Sequence, residues 1–185
     1  MLPVTHILTF TLALLCYGSA IWGGVRFFRV SDAGAARGKR LIAAVVVPSQ
    51  VAGVWLIWHA SPQPWPFALL SQACFVASLL LFWWAIHANR LQPLAFAGAD
   101  GQPERLVMHG PYACIRHPFY TSYLLGWLGL ILYTPCLFSG GILLLMGVLY
   151  RHQAIKEERL ILQSPLAAEY RAYMLACGRF WPGRG

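Results

Sequence analysis

Residues 41–88 read LIAAVVVPSQVAGVWLIWHASPQPWPFALLSQACFVASLLLFWWAIHA and contain no Lys, Arg, Asp or Glu side chain. Three prolines lie near the middle of this stretch, within SPQPWP at 61–66, and prolines so closely spaced cannot continue a helix. The pattern therefore predicts two apolar helices over 41–60 and 67–88, joined by a tight turn. Each has about the 20 apolar residues that a helix needs to cross the hydrocarbon core of a bilayer.

Two further uncharged stretches lie on either side of this one. No formal charge occurs before Arg26, so we predict a first span over about 4–25. The run from 118 to 150 is also uncharged, and its 33 residues are too many for one span and few for two. It predicts a hairpin of two short or tilted helices that turns near 134–140, with a re-entrant hairpin as the alternative.

The composition of the whole chain agrees with a membrane protein. Of its 185 residues, 58% are hydrophobic and 11% are charged, and the mean hydropathy is +0.58. A soluble domain carries about 25% charged residues, so an ordinary cytosolic enzyme is disfavoured. A disordered chain would need low hydrophobicity and high charge, and is excluded. We expect neither disulfides nor a metal site, because the five cysteines form no CxxC pair.

The distribution of charge predicts the topology. When the predicted spans are threaded through a bilayer, all 14 basic and all 6 acidic side chains fall on one side. The positive-inside rule makes that side cytoplasmic and places the N-terminus outside. The net charge of +8 thus signals orientation in the membrane, which disfavours nucleic acid binding. Five basic residues follow the first span and mainly set this orientation: Arg26, Arg29, Arg37, Lys39 and Arg40.

The fold class predicted is an all-α integral membrane protein with about five transmembrane helices, three spans plus a short helical hairpin, and a cytoplasmic C-terminal helical region. Residues 1–185 form one membrane domain, in the plasma or inner membrane if the source is prokaryotic. A helix over 142–162 is expected to start in the membrane and run into the cytoplasm. Ser164-Pro165 has the residues of a helix start and Gly178 those of a stop, which predicts a further amphipathic helix at the membrane surface.

A polar segment stands immediately before the hydrophobic hairpin and reads GPYACIRHPFY over 110–120. Other polar residues follow the hairpin: Glu157-Glu158, Glu169-Tyr170, Tyr173, Arg179 and Pro182. Together they resemble the isoprenylcysteine carboxyl methyltransferase family and the wider group of small membrane methyltransferases that includes phospholipid N-methyltransferases. The resemblance covers a motif region over 105–183, while the N-terminal spans over 1–104 match only as hydrophobic segments.

The resemblance implies a cytoplasm-facing pocket for S-adenosylmethionine, and methyl transfer to a lipid or a lipid-modified acceptor. That acceptor could be a small molecule or a protein, with a prenylcysteine-like carboxylate or a phospholipid amine as the methylated group. Seven residues would line the cofactor pocket: Tyr112, Arg116, His117, Pro118, Tyr120, Glu157 and Glu158. The resemblance further implies catalytic roles for Glu158 and for Arg179, the latter facing the substrate end. The bilayer and the acceptor are the expected partners.

The residue types suit such a cofactor independently of the resemblance. Arginine offers a two-pronged donor for a carboxylate, glutamate accepts from an ammonium or ribose hydroxyls, and tyrosine faces tolerate a cationic centre. Methyl transfer is an in-line displacement at carbon, which needs alignment and exclusion of water more than a covalent nucleophile. A carboxylate acceptor is already deprotonated, whereas an amine acceptor needs a base, which Glu or His could supply.

The pattern departs from the family at two places. Ser122 stands where the family often has Gly, and its larger side chain limits how closely the helix can approach the cofactor. Leu166-Ala167 stand where the family often has Phe-Gly. Simpler interpretations also remain for the motif: basic residues and tyrosines often anchor the ends of spans, and adjacent glutamates often lie on a solvated helix face.

Two other functions stay open at this point. Membrane reductases of the sterol type share parts of the C-terminal pattern and use NADPH. A haem-binding or non-enzymatic membrane protein resembling the NnrU group is the other alternative, because His6, His59 and His87 lie in or near apolar runs.

Overall fold

The computed structural model describes residues 3–26, 28–29, 33–89, 94–95 and 106–183, and gives only the backbone for 28–29, 33–42 and 94–95. Within these ranges the architecture is helical. Six α-helices follow one another: α1 (Val4–Arg26), α2 (Ala33–His59), α3 (Trp65–Ala88), α4 (Pro118–Tyr133), α5 (Leu137–Leu162) and α6 (Ala167–Ala176). A 3₁₀ helix over Gly110–Ala113 precedes α4.

The described helices include two candidate membrane spans, α1 and α3, with mean hydropathies of 1.6 and 1.9. Large apolar side chains project outward from both, as on Leu15 and Leu80, which are 54% and 68% exposed. Outward-facing apolar side chains are the arrangement a bilayer requires. The apolar part of α2, Ala43–His59, is shorter. The five membrane spans predicted from the sequence therefore stay a prediction.

The second helix begins earlier than the sequence predicted. Its apolar stretch starts at residue 41, but α2 starts at Ala33 and includes three basic positions. Because Lys and Arg are good helix formers, the end of a charged segment does not mark the start of a helix. The side chains of Arg29, Arg37, Lys39 and Arg40, expected to set the orientation, lie outside those that the structure describes.

The helical hairpin predicted over 118–150 is present as α4 and α5. Pro118 opens α4, where its missing N–H is not needed, and α4 ends before Thr134-Pro135. Ser139 caps the next helix, because its hydroxyl accepts from the backbone N–H of Cys136 at 3.1 Å. This helix, α5, continues to Leu162, well past the end of the uncharged run at position 150. The charged end of α5 is therefore continuous with the part that packs in the apolar core.

Tight packing fixes α4 against its neighbours. Trp127 and Leu130 of α4 are fully buried in a core with Phe75 of α3 and Met146 of α5. A Cβ at Gly129 would lie 3.2 Å from the ring of Phe75, so α3 and α4 approach closely there. This packing determines where the first turn of α4 lies, and the motif over 110–120 ends in that turn.

Two details of the structure differ from the sequence-based predictions. Ser164-Pro165 do not begin α6, since the Ser164 hydroxyl donates to the carbonyl of Ile161 at 2.7 Å and the helix starts at Ala167. Its side chain closes the turn after α5 instead. In addition, Phe28–Arg29 pairs in parallel with Leu94–Ala95, a two-residue strand pairing that the apolar pattern did not indicate.

Candidate active site

Two distant backbone segments pair beside the start of α4. Ile115 forms a parallel bridge with Gly178. The N–H of Arg116 donates to the carbonyl of Gly178 at 2.9 Å, and the N–H of His117 donates to that of Arg179 at 3.1 Å. The segment over 178–180, here called the C-terminal strap, therefore lies directly against the motif. Thr121 adds a third contact, because its hydroxyl donates to the carbonyl of Phe180 at 2.9 Å.

Glu158, near the end of α5, is the centre of the site. Its Oε1 accepts from Arg116 Nε at 3.1 Å and lies 3.1 Å from His117 Nε2. Its Oε2 accepts from Arg179 Nη2 at 2.7 Å, so three cationic or titratable side chains share one carboxylate. The Glu158 side chain is only 4% exposed, against 29% for Arg179. Such a buried carboxylate requires paired donors of this kind.

A second nitrogen of the Arg116 guanidinium binds the backbone ahead of the strap. Its Nη1 donates to the carbonyls of Met174, at 3.1 Å, and Cys177. These bonds satisfy carbonyls at the end of α6 that have no helical partner. Arg116 thus joins α4, α5 and α6 through a single guanidinium group.

Glu157 lies on a different side of α5 from Glu158. Successive residues of a helix point about 100° apart, and the Glu157 side chain is 28% exposed. Its Oε1 accepts from the Tyr120 hydroxyl at 2.6 Å, and its Oε2 lies 3.4 Å from His117 Nδ1. His117 therefore places one ring nitrogen against each glutamate. Only the protonated imidazolium can donate from both nitrogens.

The electrostatics agree with a charged His117. Burial alone lowers the pKa of His117, but hydrogen bonds to Glu157 and Glu158 and their negative charges outweigh it and raise the pKa above its ordinary value of 6.5. Burial alone raises the pKa of Glu158, but hydrogen bonds from His117 and Arg179 and the positive charges of His117 and Arg116 lower it to about 2. His117 immediately precedes the uncharged run over 118–150, and Glu158 follows it.

A stack of aromatic rings leads from this cluster into the helix bundle. The rings of His117 and Tyr120 stack with centroids 5.6 Å apart, and those of Tyr120 and Tyr150 stack at 5.3 Å. Tyr123 then contacts Tyr150 at 5.6 Å. Neither Tyr123 nor Tyr150 was among the predicted site residues. Spacing could have found Tyr150, because it precedes Glu158 by two turns of one helix and shares its buried face.

Two predicted cofactor residues take other positions. The carbonyl of Tyr112 accepts from the Tyr173 hydroxyl at 2.6 Å, and its own hydroxyl accepts from Asn89 Nδ2 at 2.8 Å. Tyr112 thus joins the ends of α3 and α6 rather than the glutamate cluster. Pro118 is fully buried as the first residue of α4. The structure brings together the other five predicted cofactor residues and the predicted catalytic Arg179: Arg116, His117, Tyr120, Glu157, Glu158 and Arg179.

Asn89 and Tyr173 are part of this framework but were not predicted as site residues. Cys177 is another, since its thiol donates to the carbonyl of Ala113 at 3.0 Å. No sequence pattern indicated these contacts, because each depends on how α6 folds back on the 3₁₀ helix.

A comparison with known families places this geometry in context. A family model described as phospholipid methyltransferase matches residues 66–165, which is more than half of the chain. The match includes α3 from its second residue, all of α4 and α5 and both glutamates, and it ends before α6 and the C-terminal strap. No curated protein and no solved structure matches the chain. Neither the reductase nor the haem-binding alternative is supported. His6, one of the histidines that suggested haem, has its Nδ1 2.8 Å from the Tyr133 hydroxyl.

Proposed function

The chain belongs to the phospholipid methyltransferase family, within the isoprenylcysteine carboxyl methyltransferase-like membrane methyltransferases, and on this premise we propose that it transfers a methyl group from S-adenosylmethionine to a lipid or lipid-modified acceptor at the cytoplasmic face of the membrane. Membrane methyltransferase activity on lipids follows from the family. The cofactor, the acceptor and the membrane face are the proposal.

One observation carries this proposal. The first turn of α4, the end of α5 and the C-terminal strap place six charged or polar side chains in one cluster where the uncharged run begins and ends. A polar cofactor can reach such a cluster from the cytoplasm, while an apolar acceptor can approach from the bilayer. Both ligands can therefore meet without either crossing an unfavourable medium.

The two glutamates take different roles in this proposal. Both carboxylate oxygens of Glu158 already accept hydrogen bonds within the cluster, so we assign it the role of positioning Arg116, His117 and Arg179. Glu157 is more exposed and has one strong hydrogen bond, from Tyr120, so it can accept from the cofactor's ammonium or ribose hydroxyls. The sequence left open which glutamate faces the ligand, and this geometry favours Glu157.

Arg179 is the cation best placed to receive the carboxylate of the cofactor. Its Nε and Nη2 face Glu158, but the side chain is 29% exposed, which leaves the Nη1 edge for an incoming anion. Arg116 is 5% exposed and holds three partners, so it supports the site from behind. This division differs from the resemblance, which put Arg116 at the cofactor and Arg179 at the substrate.

The chemistry then needs alignment more than proton transfer. The bound cofactor supplies an electrophilic methyl group on a sulfonium. The parallel faces of Tyr120 and Tyr150 offer an aromatic surface for a cationic centre, and the buried cluster excludes water from one side. An amine acceptor would also have to lose a proton. Glu157 can take that proton from the acceptor's own ammonium group when the acceptor is bound in the site.

The first test is cofactor binding to the detergent-purified protein. We expect S-adenosylhomocysteine, the product, to bind with a dissociation constant in the order of micromolar in calorimetry. Glu157→Gln and Arg179→Gln should weaken it at least about tenfold, and both positions are exposed enough for the protein to fold. Arg171→Gln, at an exposed arginine on α6, is the control and should bind normally.

The second test is transfer itself. Membranes containing the protein are incubated with tritiated-methyl S-adenosylmethionine and the label is followed by lipid extraction. Label in the lipid fraction that is lost in Glu157→Gln supports the proposal. Folded protein that binds no S-adenosylhomocysteine, or binding unchanged in both variants, would contradict the assignment of the site.

A further inference from the structure

The exposed side of α5 changes from apolar to basic along its length. Leu144, Leu145 and Val148 point outward there, with exposed fractions of 70%, 44% and 59%. The following turns expose four basic residues on the same side, here called the basic face: Arg151, His152, Lys156 and Arg159. Steps of three or four residues connect the apolar set to the basic one, so the two sets form one continuous strip along the helix.

The acidic residues of α5 are turned away from the basic face. Glu158 is buried in the cluster with Arg116, and Glu157 accepts from Tyr120. Neither glutamate stands three or four residues from a member of the basic face, which is the spacing of helical ion pairs. Within the described part of the chain, no carboxylate forms a salt bridge with any of the four residues. The face therefore presents two arginines, a lysine and a histidine without acidic partners in that part of the chain.

The length of α5 places this face at the level of the lipid headgroups. The predicted topology puts Leu137, the first residue of α5, at the outer edge of the hydrocarbon core, which is about 30 Å thick. At a rise of about 1.5 Å per residue, Arg151 lies about 21 Å and Arg159 about 33 Å from that edge along the helix axis. Long basic side chains extend from such depths towards the headgroups while their stems cover apolar surface. The arginines and the lysine can thus reach the cytoplasmic headgroup layer.

An anionic phospholipid is the ligand that matches both parts of the strip. Its phosphate offers negative charge to the basic residues, and its acyl chains offer apolar surface to Leu144 and Val148. Free phosphate or a soluble acidic protein would match the basic residues only and would leave the adjoining apolar side chains without contacts. Clusters of Lys and Arg beside a membrane bind anionic lipids through this charge complementarity.

We propose that the basic face binds the phosphate groups of anionic phospholipids in the cytoplasmic leaflet, and that this binding fixes the depth of the charged end of α5. Glu157 and Glu158 lie on the same turns of the helix but on its other side. Lipid bound at the basic face therefore holds the glutamate cluster at the membrane surface without entering it. The proposal depends on the predicted insertion of α5 in the bilayer and not on methyl transfer.

The test measures the thermal unfolding midpoint of the protein in nonionic detergent as three probes are added. These are dioleoyl phosphatidylglycerol, dioleoyl phosphatidylcholine and glycerophosphate. We expect phosphatidylglycerol to raise the midpoint, and about 0.5 M salt to reduce that rise by screening the charges. An equal rise with phosphatidylcholine, which carries its own cation, would mean that acyl chains alone act. An equal rise with glycerophosphate would indicate a site for soluble anions, and either result overturns the proposal.

Arg151→Gln/Arg159→Gln is the decisive variant. It should need about 25-fold more phosphatidylglycerol for the same shift, because each basic residue near an anionic surface strengthens binding about fivefold. Arg26→Gln/Arg171→Gln removes the same charge from exposed arginines of α1 and α6 and is the matched control, which should respond as the wild type does. An equal loss in the control would mean that net charge alone acts. That outcome, or an unchanged response in the decisive variant, contradicts the proposal.

Binding of S-adenosylhomocysteine separates this proposal from the proposed function. Both double variants should bind it as the wild type does in detergent, because none of the replaced arginines belongs to the glutamate cluster. This binding also serves as the check that the variants are folded. A wild type that responds to phosphatidylglycerol but binds no S-adenosylhomocysteine supports the basic face and contradicts the proposed methyl transfer. The reverse pair of results contradicts the basic face alone.

Discussion

Glu158 holds Arg116, His117 and Arg179 with one carboxylate that is almost completely buried. A buried ion pair adds little stability over a well-packed apolar pair, but removal of one partner leaves the others uncompensated. The residue is therefore more important for the arrangement of the site than its neighbour Glu157, although the two are identical in the sequence pattern.

Replacement of these two glutamates should separate stability from binding. We expect Glu158→Gln to lower the free energy of unfolding by about 3 kcal/mol, because two arginines lose their counter-charge. Glu157→Gln, at a side chain 28% exposed, should cost less than about 1 kcal/mol while it weakens cofactor binding. Chemical denaturation in mixed micelles measures the first effect and calorimetry the second. A larger stability loss for Glu157→Gln would contradict this division of roles.

The pH dependence of stability should have two limbs. The pKa of Glu158 is lowered from 4.5 to about 2, so its stabilisation is present above pH 4.5 and lost as the pH falls towards 2. The pKa of His117 is raised above 6.5, so its stabilisation is complete below pH 6.5 and lost as the pH rises through the raised value.

The alkaline limb is the one that can be measured without acid denaturation. The unfolding midpoint of the wild type should fall as the pH rises above 6.5, and His117→Gln should lose most of that slope. His152→Gln is the control, because His152 is exposed on α5 and should leave the slope intact. An unchanged slope in His117→Gln would show that His117 is not protonated between the two glutamates.

At the scale of elements, the C-terminal strap connects α6 to the start of α4. Its backbone carbonyls accept from Arg116 and His117, and its arginine reaches Glu158 on α5. Three elements therefore have to dock together before the cluster exists. The strap lies beyond residues 66–165, which the family model matches.

Gly178 is the position at which this docking is most sensitive. A Cβ there would lie 2.1 Å from the carbonyl oxygen of Trp181, so the strap backbone itself would have to shift. We expect Gly178→Ala to displace the strap, to weaken S-adenosylhomocysteine binding at least about tenfold and to cost about 1–3 kcal/mol. Circular dichroism should show the same helix content.

Gly141→Ala is the matched control for this change. A Cβ at Gly141 of α5 would meet no atom within 4 Å, so stability and binding should stay the same or rise slightly. Normal binding in Gly178→Ala would mean that the strap does not hold Arg179 in place.

For the molecule as a whole, the cysteines offer a direct test of topology. Among the five, Cys114 and Cys136 are exposed and the other three are buried. Cys114 lies beside the charged cluster and Cys136 in the uncharged turn between α4 and α5. The predicted topology therefore puts the two exposed thiols on opposite sides of the membrane.

A membrane-impermeant maleimide should label Cys136 in intact cells and Cys114 only after permeabilisation. Cys136→Ser should abolish the first signal and Cys114→Ser the second, while the buried thiols stay unlabelled unless the protein is denatured. Labelling of Cys114 from outside would reverse the orientation and place the active site on the other face.

Much of the helical architecture could be predicted because it depends on local properties. Uncharged runs and closely spaced prolines set the limits of α1 and α3 within a few residues. The start of α2 could not be located in this way, because its basic residues favour helix as much as its apolar ones do. The prediction of a helix start at Ser164 was wrong for a related reason, since a serine can cap a helix or close a turn with the same hydroxyl.

The candidate site likewise has a part that the sequence predicted and a part that it could not. Arg116 and the glutamate pair could be selected from residue types and spacing. That Arg179 meets Glu158, and that Tyr150 stacks on Tyr120, depends on contacts between segments far apart in the chain.

The sequence by itself determined that this protein is helical, that it belongs in a membrane and where its charges concentrate. These properties depend on the length and composition of local stretches of the chain, which can be read without knowing how the helices pack. Only the tertiary structure decided which of two adjacent glutamates is buried and that four basic side chains of the same helix are exposed. Neighbouring helical residues differ in direction by about 100°, so the packing of other helices determines which of them faces a partner.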